Sequence, residues 1–484
     1  MNLFHRARKN ILLKFIAEAL VRSLAFFFVI FSARILGDQA FGKYALAYYL
    51  AGILTIFSDW GLNALLIREV SRQPAILGRY AGNILSLKGL FLLGLSALGP
   101  LLLWLLGYSR EMIFLTFLSL LYLSGNHLLD FMVAVTNSIE RMEIELLIKG
   151  LSKVLVVALP LGVLWAGYGL EGFLLALVGS YGLSCFVSGR IIWKKIAPFP
   201  PRWEFPFWKK VLRSGLPLGV SALFMTVYFR MDIVLLSLFK FSSAEIGWYS
   251  IPVKIVEMVS LLPYLIMAGI FPIFAALKNR DEESLKKAYQ RTLTYLTVAA
   301  VPLVLAAIFL SDPLLVLLFG PSFAPSVPAM QILIWVIPFL FINYVFFHTL
   351  IAINQEKMIA WASGAAVLFN LGLNWFILPA YGYLGASVTT VMTEVLLSGI
   401  YLWHLQRVFF RLPWLRSLTR LILCGGCMAL PLWAFRNSPP GLVWPLALSA
   451  YLAGLLLLGL VTREDWHLLK RMLRFSSAGA EESL

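Results

Sequence analysis

Long apolar stretches follow one another along almost the whole chain, and short polar connections separate them. A membrane-spanning helix needs about 20 mostly apolar residues, and fourteen stretches meet this length. Because every connection between them is short, the pattern predicts an all-α polytopic membrane protein without a large soluble domain. By number, the stretches are 11–36, 43–67, 80–106, 112–135, 148–168, 170–193, 211–239, 247–277, 291–318, 327–353, 359–378, 383–404, 416–435 and 441–461.

The composition excludes most classes of soluble protein. Of the 484 residues, 60% are hydrophobic and only 13% are charged, whereas soluble domains carry about 25% charged residues. So little polar surface cannot cover a water-soluble protein of this size, which argues against a cytosolic enzyme or a nucleic-acid-binding domain. The net charge of +16 therefore does not indicate nucleic acid as a partner.

The positive charges are unevenly distributed between the two sides of the predicted array. With a cytoplasmic N-terminus, about 30 of the 40 Lys and Arg residues fall in inner segments and about five in outer ones. Segments rich in Lys and Arg stay in the cytoplasm during insertion. We therefore expect a multi-pass protein of the cytoplasmic (inner) membrane with both termini in the cytoplasm.

The two halves of the chain repeat each other. Residues 41–44 (FGKY) follow the first span and residues 246–249 (IGWY) follow the seventh, and residues 168–172 and 381–385 form a second pair. Six spans separate the members of each pair, so the repeat is of the parallel kind, with its axis along the membrane normal. The sequence predicts two pseudo-symmetric six-helix bundles followed by two C-terminal helices. The predicted domains are 1–193 and 211–405, the cytoplasmic linker 194–210, and 406–484 with an amphipathic tail at 463–475.

Several stretches resemble Wzx-type polysaccharide flippases of the multidrug/oligosaccharidyl-lipid/polysaccharide exporter superfamily. They are 33–50 (ARILGDQAFGKYALAYYL), 58–72 (SDWGLNALLIREVSR), 318–333 (LFGPSFAPSVPAMQIL) and a run from 352 to 394. The resemblance implies export of an O-antigen or lipopolysaccharide precursor. The cargo it implies is an undecaprenyl-pyrophosphate-linked oligosaccharide, moved from the cytoplasmic to the periplasmic leaflet by alternating access. Membrane lipids and polysaccharide assembly proteins are the other partners that it implies.

Three other functions fit parts of the pattern. A drug/cation antiporter of the same fold would favour acids in its cavity, whereas the spans hold five bases and six acids. A lipid II flippase would carry a cargo of the same polyprenyl-pyrophosphate chemistry. A membrane polysaccharide polymerase would need a sizeable outer loop, and the longest outer connection has about eight residues. No Walker A motif and no clustered Cys/His set is present, so we expect no catalytic residue, cofactor or metal.

Ionisable residues inside the predicted spans are the candidate site residues, because each costs about 2.5–3.5 kcal/mol at the bilayer centre. Bases suit a pyrophosphate, and the planar fork of arginine donates two parallel hydrogen bonds to phosphate oxygens. The predicted substrate-binding residues are Arg22, Lys88, Arg230 and Lys254. Arg22 is the deepest base of the first half and is expected to act together with Lys88 in the inward-open state.

The acids and one histidine are candidates for coupling to a proton or to sodium. The predicted ion-coupling residues are Asp59, Asp130, His127 and Glu394. His127 and Asp130 belong to a polar cluster on the fourth span, and histidine titrates near physiological pH. A structural hydrogen bond within that cluster is the other interpretation, and Asp59 can bind a cation or pair with Lys88.

Local ion pairs are the alternative interpretation for two of the bases. Glu18 and Arg22 are four residues apart, and Lys254 and Glu257 are three residues apart. At either spacing, side chains meet on one helix face. Such pairs would neutralise the charges without any role in transport, and the sequence leaves both interpretations open.

Labelling of introduced cysteines tests the predicted orientation. After replacement of the three native cysteines, a cysteine at Lys195 or Arg280 should be protected from an impermeant thiol reagent in intact cells. A cysteine at Lys240 should react, because it follows an odd number of spans. The opposite pattern of labelling would place both termini outside the cytoplasm.

Overall fold

The structure is a computed structural model of the chain. It describes residues 3–196, 198–278, 281–409, 414–435 and 438–460, and within these ranges it contains helices and no strand. Some side chains inside helices lie outside the description, namely those of residues 3–20, 22, 57, 216–218, 220–229, 273, 414–418 and 440. The amphipathic tail predicted at 463–475 also lies outside the described residues.

Fifteen α-helices follow one another in the described part of the chain. They are α1 (Leu3–Thr55), α2 (Leu62–Arg72), α3 (Leu77–Leu105), α4 (Arg110–Ser138), α5 (Met142–Trp165), α6 (Gly169–Lys195), α7 (Phe205–Leu238), α8 (Ser243–Val259), α9 (Leu261–Lys278), α10 (Glu282–Phe319), α11 (Ser326–Leu333), α12 (Val336–Ala352), α13 (Glu356–Val408), α14 (Trp414–Ala434) and α15 (Pro440–Leu457). Short 3₁₀ turns lie at Ile56–Ser58, Pro74–Ile76 and Pro321–Phe323.

These helices account for the fourteen predicted spans. Among the described residues, nine helical stretches are long and apolar enough to cross a membrane, and two shorter apolar helices lie near the C-terminus. Helix α13, with 53 residues, holds two predicted spans, and α1, also with 53 residues, holds the first span and the beginning of the second, which continues into α2. Helix α7 corresponds to the seventh span, while α8 with α9 and α11 with α12 form one span each. The prediction of an all-α polytopic membrane protein is confirmed.

Two of the predicted connections are glycine kinks rather than loops. Gly37 in α1 has φ 72° and ψ 176°, and Gly382 in α13 has φ 52° and ψ −136°. Glycine adopts positive φ without the steric cost that a Cβ atom adds. A single residue can therefore turn the chain while the helical segments on both sides continue.

The chain divides by packing into two units. The first contains Met1–Leu261, Asp312–Leu333 and Ala360–Thr393, and the second contains Leu262–Ser311, Ile334–Ile359 and Glu394–Leu484. This division follows contacts, whereas the predicted domains 1–193 and 211–405 follow the sequence repeat. The repeat-based boundaries stay a prediction.

Within the first unit, the two copies of one repeat motif contact each other. A Cβ atom on Gly42 would overlap the carbonyl oxygen of Ser243, and one on Gly247 would overlap that of Asp38. The indole of Trp248 donates hydrogen bonds to Asp38 Oδ2 at 3.1 Å and to the Ser322 carbonyl at 3.0 Å. Glycines at matching positions of the two motif copies thus allow α1 and α8 to approach closely.

The second unit has a small core of its own between α14 and α15. Cys424, Met428 and Leu432 of α14 pack with residues of α15, including Tyr451. The Tyr451 hydroxyl donates a hydrogen bond to the Val298 carbonyl of α10 at 2.7 Å. The two C-terminal helices are therefore attached to α10 by packing and by a hydrogen bond.

Candidate functional site

Two of the predicted substrate-binding bases lie close to the ring of one tyrosine, Tyr48. The guanidinium carbon of Arg230 lies 5.2 Å from the ring centroid of Tyr48, and Nζ of Lys254 lies 5.3 Å from the same centroid. Lys254 is also 5.3 Å from the ring centroid of Tyr49. A desolvated cation–π contact stabilises by about 2 kcal/mol. Helices α1, α7 and α8 thus form a cationic centre, which we define as Arg230, Lys254, Glu257, Tyr48 and Tyr49.

The two bases of the cationic centre differ in how their charges are balanced. Lys254 Nζ forms an ion pair with Glu257 Oε2 at 2.8 Å, so the local pair that the spacing allowed is present. Within the described residues, Arg230 has no ion pair, and its buried Nη1 has no hydrogen-bond partner. The centre therefore carries one net positive charge and an unsatisfied donor.

Space for the guanidinium depends on a glycine of α1. A Cβ atom on Gly52 would overlap Nη1 of Arg230. A buried donor without a partner costs about 1–3 kcal/mol, and more when the group is charged. Nη1 of Arg230 bears this cost within the described part of the chain.

A cavity of about 330 Å³ lies beside the cationic centre, within the usual range for small-molecule sites, which begins at about 300 Å³. Aromatic and apolar side chains of α1 form most of its wall, while Lys254, Glu257 and Ser250 supply the polar part. The α1 residues that line it are Ala25, Phe26, Phe28, Val29, Phe41, Tyr44, Ala45, Tyr48 and Tyr49. Arg22 precedes Ala25 and Phe26 by three and four residues on α1, although its side chain lies outside the described residues.

Lys88 does not belong to the cationic centre and already has a counterion. Its side chain is fully buried, and Nζ contacts Asp59 Oδ1 at 2.5 Å. The pairing that the sequence allowed for Asp59 is therefore present. A buried ion pair is held strongly once formed, because removing one partner leaves an uncompensated charge. A role for Lys88 in cargo binding stays a prediction, as does a role for Asp59 in ion coupling.

The remaining predicted coupling residues lie in two separate polar groups. On α4, Asn126 Nδ2 donates to Asp130 Oδ2 at 3.2 Å, one helical turn away, and His127 is half-buried. In the second unit, buried Glu394 of α13 accepts a hydrogen bond from Asn343 Nδ2 of α12 at 2.6 Å. Each of these contacts is local to its own unit, and the coupling roles of these residues stay predictions.

The structure also reveals a buried polar cluster that we did not assign from the sequence. Asp232 of α7 accepts hydrogen bonds from Tyr249 and Thr390 on Oδ2, both at 2.9 Å, and from Asn374 on Oδ1 at 2.7 Å. Asn374 Nδ2 also donates to Asn370 Oδ1 at 3.0 Å. Within the described residues, no Lys or Arg is ion-paired with Asp232. We call this group the Asp232 cluster.

The sequence carries a signal for the Asp232 cluster. Asn370 and Asn374 are four residues apart on an apolar helix, so they share one face. Thr389 and Thr390 follow a full helical segment later, beyond the kink at Gly382. Paired amides and hydroxyls on apolar helices indicate a polar site inside the membrane, and Asp232 is the acid that completes it.

Two family models match the sequence. The model described as "Polysaccharide biosynthesis protein" matches residues 7–278, which is more than half of the chain. The chain belongs to the polysaccharide biosynthesis protein family. The second model, MatE, matches residues 217–376. The exporter superfamily to which we assigned the sequence from its motifs is confirmed.

Relatives of this polysaccharide biosynthesis protein include named transporters. The chain is 24% identical over 405 residues to a low-salt glycan biosynthesis flippase, Agl15, of Haloferax volcanii, covering 80% of each chain. It is 23% identical over 390 residues to an O-antigen transporter of Shigella flexneri, covering 77% of this chain and 92% of that protein. It also matches an uncharacterised membrane protein of Methanocaldococcus jannaschii, at 22% identity, and spans 45% of that protein's length.

Solved structures show the same fold. The lipid II flippase MurJ in an inward closed conformation superposes with a TM-score of 0.73 at 15% identity, covering 92% of this chain and 97% of that one. An inward-facing multidrug transporter of the MATE family superposes with a TM-score of 0.65 at 15% identity, covering 80% and 94%. At this identity, the likeness concerns the fold of the polysaccharide biosynthesis protein and not its cargo.

Variants of Asp59 separate a structural role of Lys88 from cargo binding. Asp59→Asn should destabilise the protein by about 3–5 kcal/mol, because the buried ammonium loses its partner. Asp59→Asn with Lys88→Met should recover the unfolding midpoint, measured by thermal denaturation in detergent. If Lys88 is structural, this double variant should also retain glycan export.

A matched control is Glu69→Gln, since Glu69 pairs with the exposed Arg68 at 2.9 Å. An exposed pair contributes about 0–1 kcal/mol, so this variant should unfold near the wild-type midpoint. A double variant that is stable but exports no glycan would instead assign Lys88 to the cargo.

Proposed function

We propose that this protein is a flippase that moves a lipid-linked oligosaccharide, carried on undecaprenyl pyrophosphate, across the membrane by alternating access. The family match and the named flippases and transporters among its relatives support a transport function. The observation that carries the choice of cargo is the cationic centre, where Arg230 has no ion-pair partner among the described residues and Lys254 lines a cavity.

The chemistry of a pyrophosphate suits this centre. A pyrophosphate carries several negative charges, which cannot enter a low-dielectric region without cations. Nη1 of Arg230 has no hydrogen-bond partner among the described residues, and Lys254 has further donors on its ammonium beside Glu257. Phosphate oxygens accept from both groups, with arginine supplying two parallel hydrogen bonds. In the sequence, Arg22 precedes the first cavity-lining residue, Ala25, by about one turn of α1, and we include it in the proposal as a third base.

The aromatic lining suits the part of the cargo next to the pyrophosphate. Tyr44, Tyr48 and Tyr49 line the cavity, and tyrosine combines an apolar ring face with a polar tip. A sugar has the complementary surface, with apolar C–H faces and hydroxyl edges.

A lipid II flippase is a second candidate because its cargo has the same pyrophosphate and sugar chemistry.

A drug/cation antiporter fits the centre less well. The uncompensated positive charge of Arg230 repels a cationic drug, whereas it attracts an anionic headgroup. Glu257, which could attract such a drug, already forms an ion pair with Lys254.

The Asp232 cluster supports coupling to a monovalent cation. A buried carboxylate without a basic partner is expensive in the membrane, and one proton or one sodium ion would balance its single charge. Hydroxyl and amide oxygens of Tyr249, Asn370 and Thr390 surround it, and oxygen ligands suit hard cations. Asp232 follows Arg230 by two residues on α7. We infer that binding of a cation at the Asp232 cluster alters the position of the Arg230 guanidinium.

Substitution of Arg230 tests the cargo site. Arg230→Gln should reduce glycan export about tenfold to hundredfold, because a charge-assisted hydrogen bond contributes about 1.5–3 kcal/mol. Its abundance should remain normal, since no ion pair of the described residues is broken. Arg230→Lys should restore export only in part, because lysine lacks the planar fork. Export is measured as surface glycan in a strain that lacks the native gene.

Arg110→Gln is the matched control, because it removes the same charge from the exposed start of α4 and should leave export unchanged. Normal export by Arg230→Gln would contradict the proposed site.

Arg22 is tested in the same assay. If Arg22 only neutralises Glu18, the double variant Glu18→Gln with Arg22→Gln should export normally, and if Arg22 binds cargo it should not.

Thermal unfolding tests the Asp232 cluster. A cation that binds only the folded state stabilises it by RT ln(1 + [L]/Kd), so sodium chloride should raise the unfolding midpoint above that in potassium chloride at equal ionic strength. Asp232→Asn should remove this difference, whereas Glu171→Gln, at the exposed start of α6, should keep it. If a proton is the coupling ion, sodium should have no effect, and transport by the wild type alone should depend on pH. Equal sodium responses in the wild type and Asp232→Asn would exclude a sodium site at this cluster.

A further inference from the structure

The segment between α6 and α7 is fixed against α3. The backbone N–H of Arg202 donates to the Gly82 carbonyl at 3.1 Å. The Glu204 carboxylate accepts from Arg79 at 2.6 and 2.9 Å and from Asn83 Nδ2 at 3.1 Å. A Cβ atom on Gly82 would overlap the Pro200 carbonyl. The absence of a side chain at residue 82 therefore lets the segment lie directly on the helix.

A buried amide and an aromatic contact extend this attachment into α7. Asn83 Oδ1 accepts from the Glu204 N–H at 3.0 Å and from the Trp208 indole at 3.1 Å. The Phe207 ring lies 4.8 Å from that of Tyr80, edge to face. Hydrogen bonds from Arg79 and Asn83 lower the pKa of the Glu204 carboxyl below its usual value. Glu204 is therefore ionised at neutral pH, and its charge is balanced by Arg79.

The attached segment and the end of α6 expose large aromatic side chains. Trp193 and Phe186 of α6 are 63% and 64% exposed, and Trp203 of the segment and Phe205, the first residue of α7, are 59% and 69% exposed. Trp193 lies two residues before the end of α6, at the position where interfacial tryptophans anchor a span to the headgroup region. An aromatic surface of this kind needs a cover that is apolar but close to water.

Bases surround these aromatic side chains. Residues 190–213 contain seven Lys and Arg residues and one acid, Glu204. The Glu204 carboxylate is hydrogen-bonded to Arg79 and Asn83, so it does not neutralise the seven bases of this stretch. Arg190 lies with its guanidinium carbon 5.6 Å from the Phe186 ring centroid, and Lys209, Lys210 and Arg213 are exposed on α7.

We propose that this surface binds the headgroups of anionic phospholipids. We call it the linker face and define it as the exposed aromatic and basic side chains from Phe186 to Arg213. Tryptophan rings settle at the headgroup level, and clustered Lys and Arg next to a span attract anionic lipids. The contacts with α3 hold the backbone in place, so binding costs little conformational entropy. The occupant is bulk phospholipid rather than cargo, and the proposal does not depend on the flippase assignment.

Quenching of tryptophan fluorescence by brominated lipids tests the proposal. The purified protein is reconstituted with brominated phosphatidylglycerol or brominated phosphatidylcholine at equal mole fraction. The difference in quenching between the wild type and Trp193→Phe with Trp203→Phe reports lipid at the linker face. We expect this signal to favour phosphatidylglycerol about fivefold at low salt, and the preference to fall in about 0.5 M salt.

The charge variants decide whether the linker face itself is responsible. Replacement of Lys209, Lys210 and Arg213 by Gln should bring the preference close to one. The matched control replaces Lys278, Lys287 and Arg291 by Gln, which removes the same charge from α9 and α10 and should leave the preference unchanged. Equal quenching by the two lipids in the wild type would overturn the proposal. An equal loss in both triple variants would also overturn it, because net charge alone would then explain the preference.

Discussion

The cost of a charge inside a membrane is the constraint on which the polar part of this structure depends. Ion pairs reduce this cost for two bases: Lys88 pairs with Asp59, and Lys254 pairs with Glu257. Arg230 has no ion pair with any described residue, and its Nη1 has no hydrogen-bond partner among them. A charge that remains uncompensated in the folded protein destabilises it. Its retention is explained if an anionic cargo supplies the missing counterion during transport.

Arg230 and Asp232, which have opposite charges and no ion pair among the described residues, lie within one turn of α7. Arg230 faces Tyr48 of α1, and Asp232 accepts hydrogen bonds from α8 and α13. The start of the same helix is attached to α3 through Asn83 and Trp208. One helix therefore contributes to the cationic centre, to the Asp232 cluster and to the attachment on α3.

The sequence predicted those features that depend on local pattern. The apolar stretches gave the spans, and the three-residue spacing gave the contact of Lys254 with Glu257. The kinks at Gly37 and Gly382 were not predicted, because hydropathy does not report a positive φ. Contacts between distant positions were also inaccessible to periodicity. Asp232 meets Asn374 across 142 residues, and the hydrogen-bonded residues Arg79 and Glu204 are 125 residues apart.

The central claim is that the cationic centre recognises a pyrophosphate. The most direct measurement is translocation in reconstituted liposomes of two fluorescent polyprenyl glycolipids that differ only in carrying one or two phosphates. A pyrophosphate offers arginine and lysine donors more acceptor oxygens than a single phosphate does. The account therefore predicts that the pyrophosphate lipid is translocated faster by about tenfold or more. Equal rates for the two lipids, or transport of an organic cation with no transport of either lipid, would contradict it.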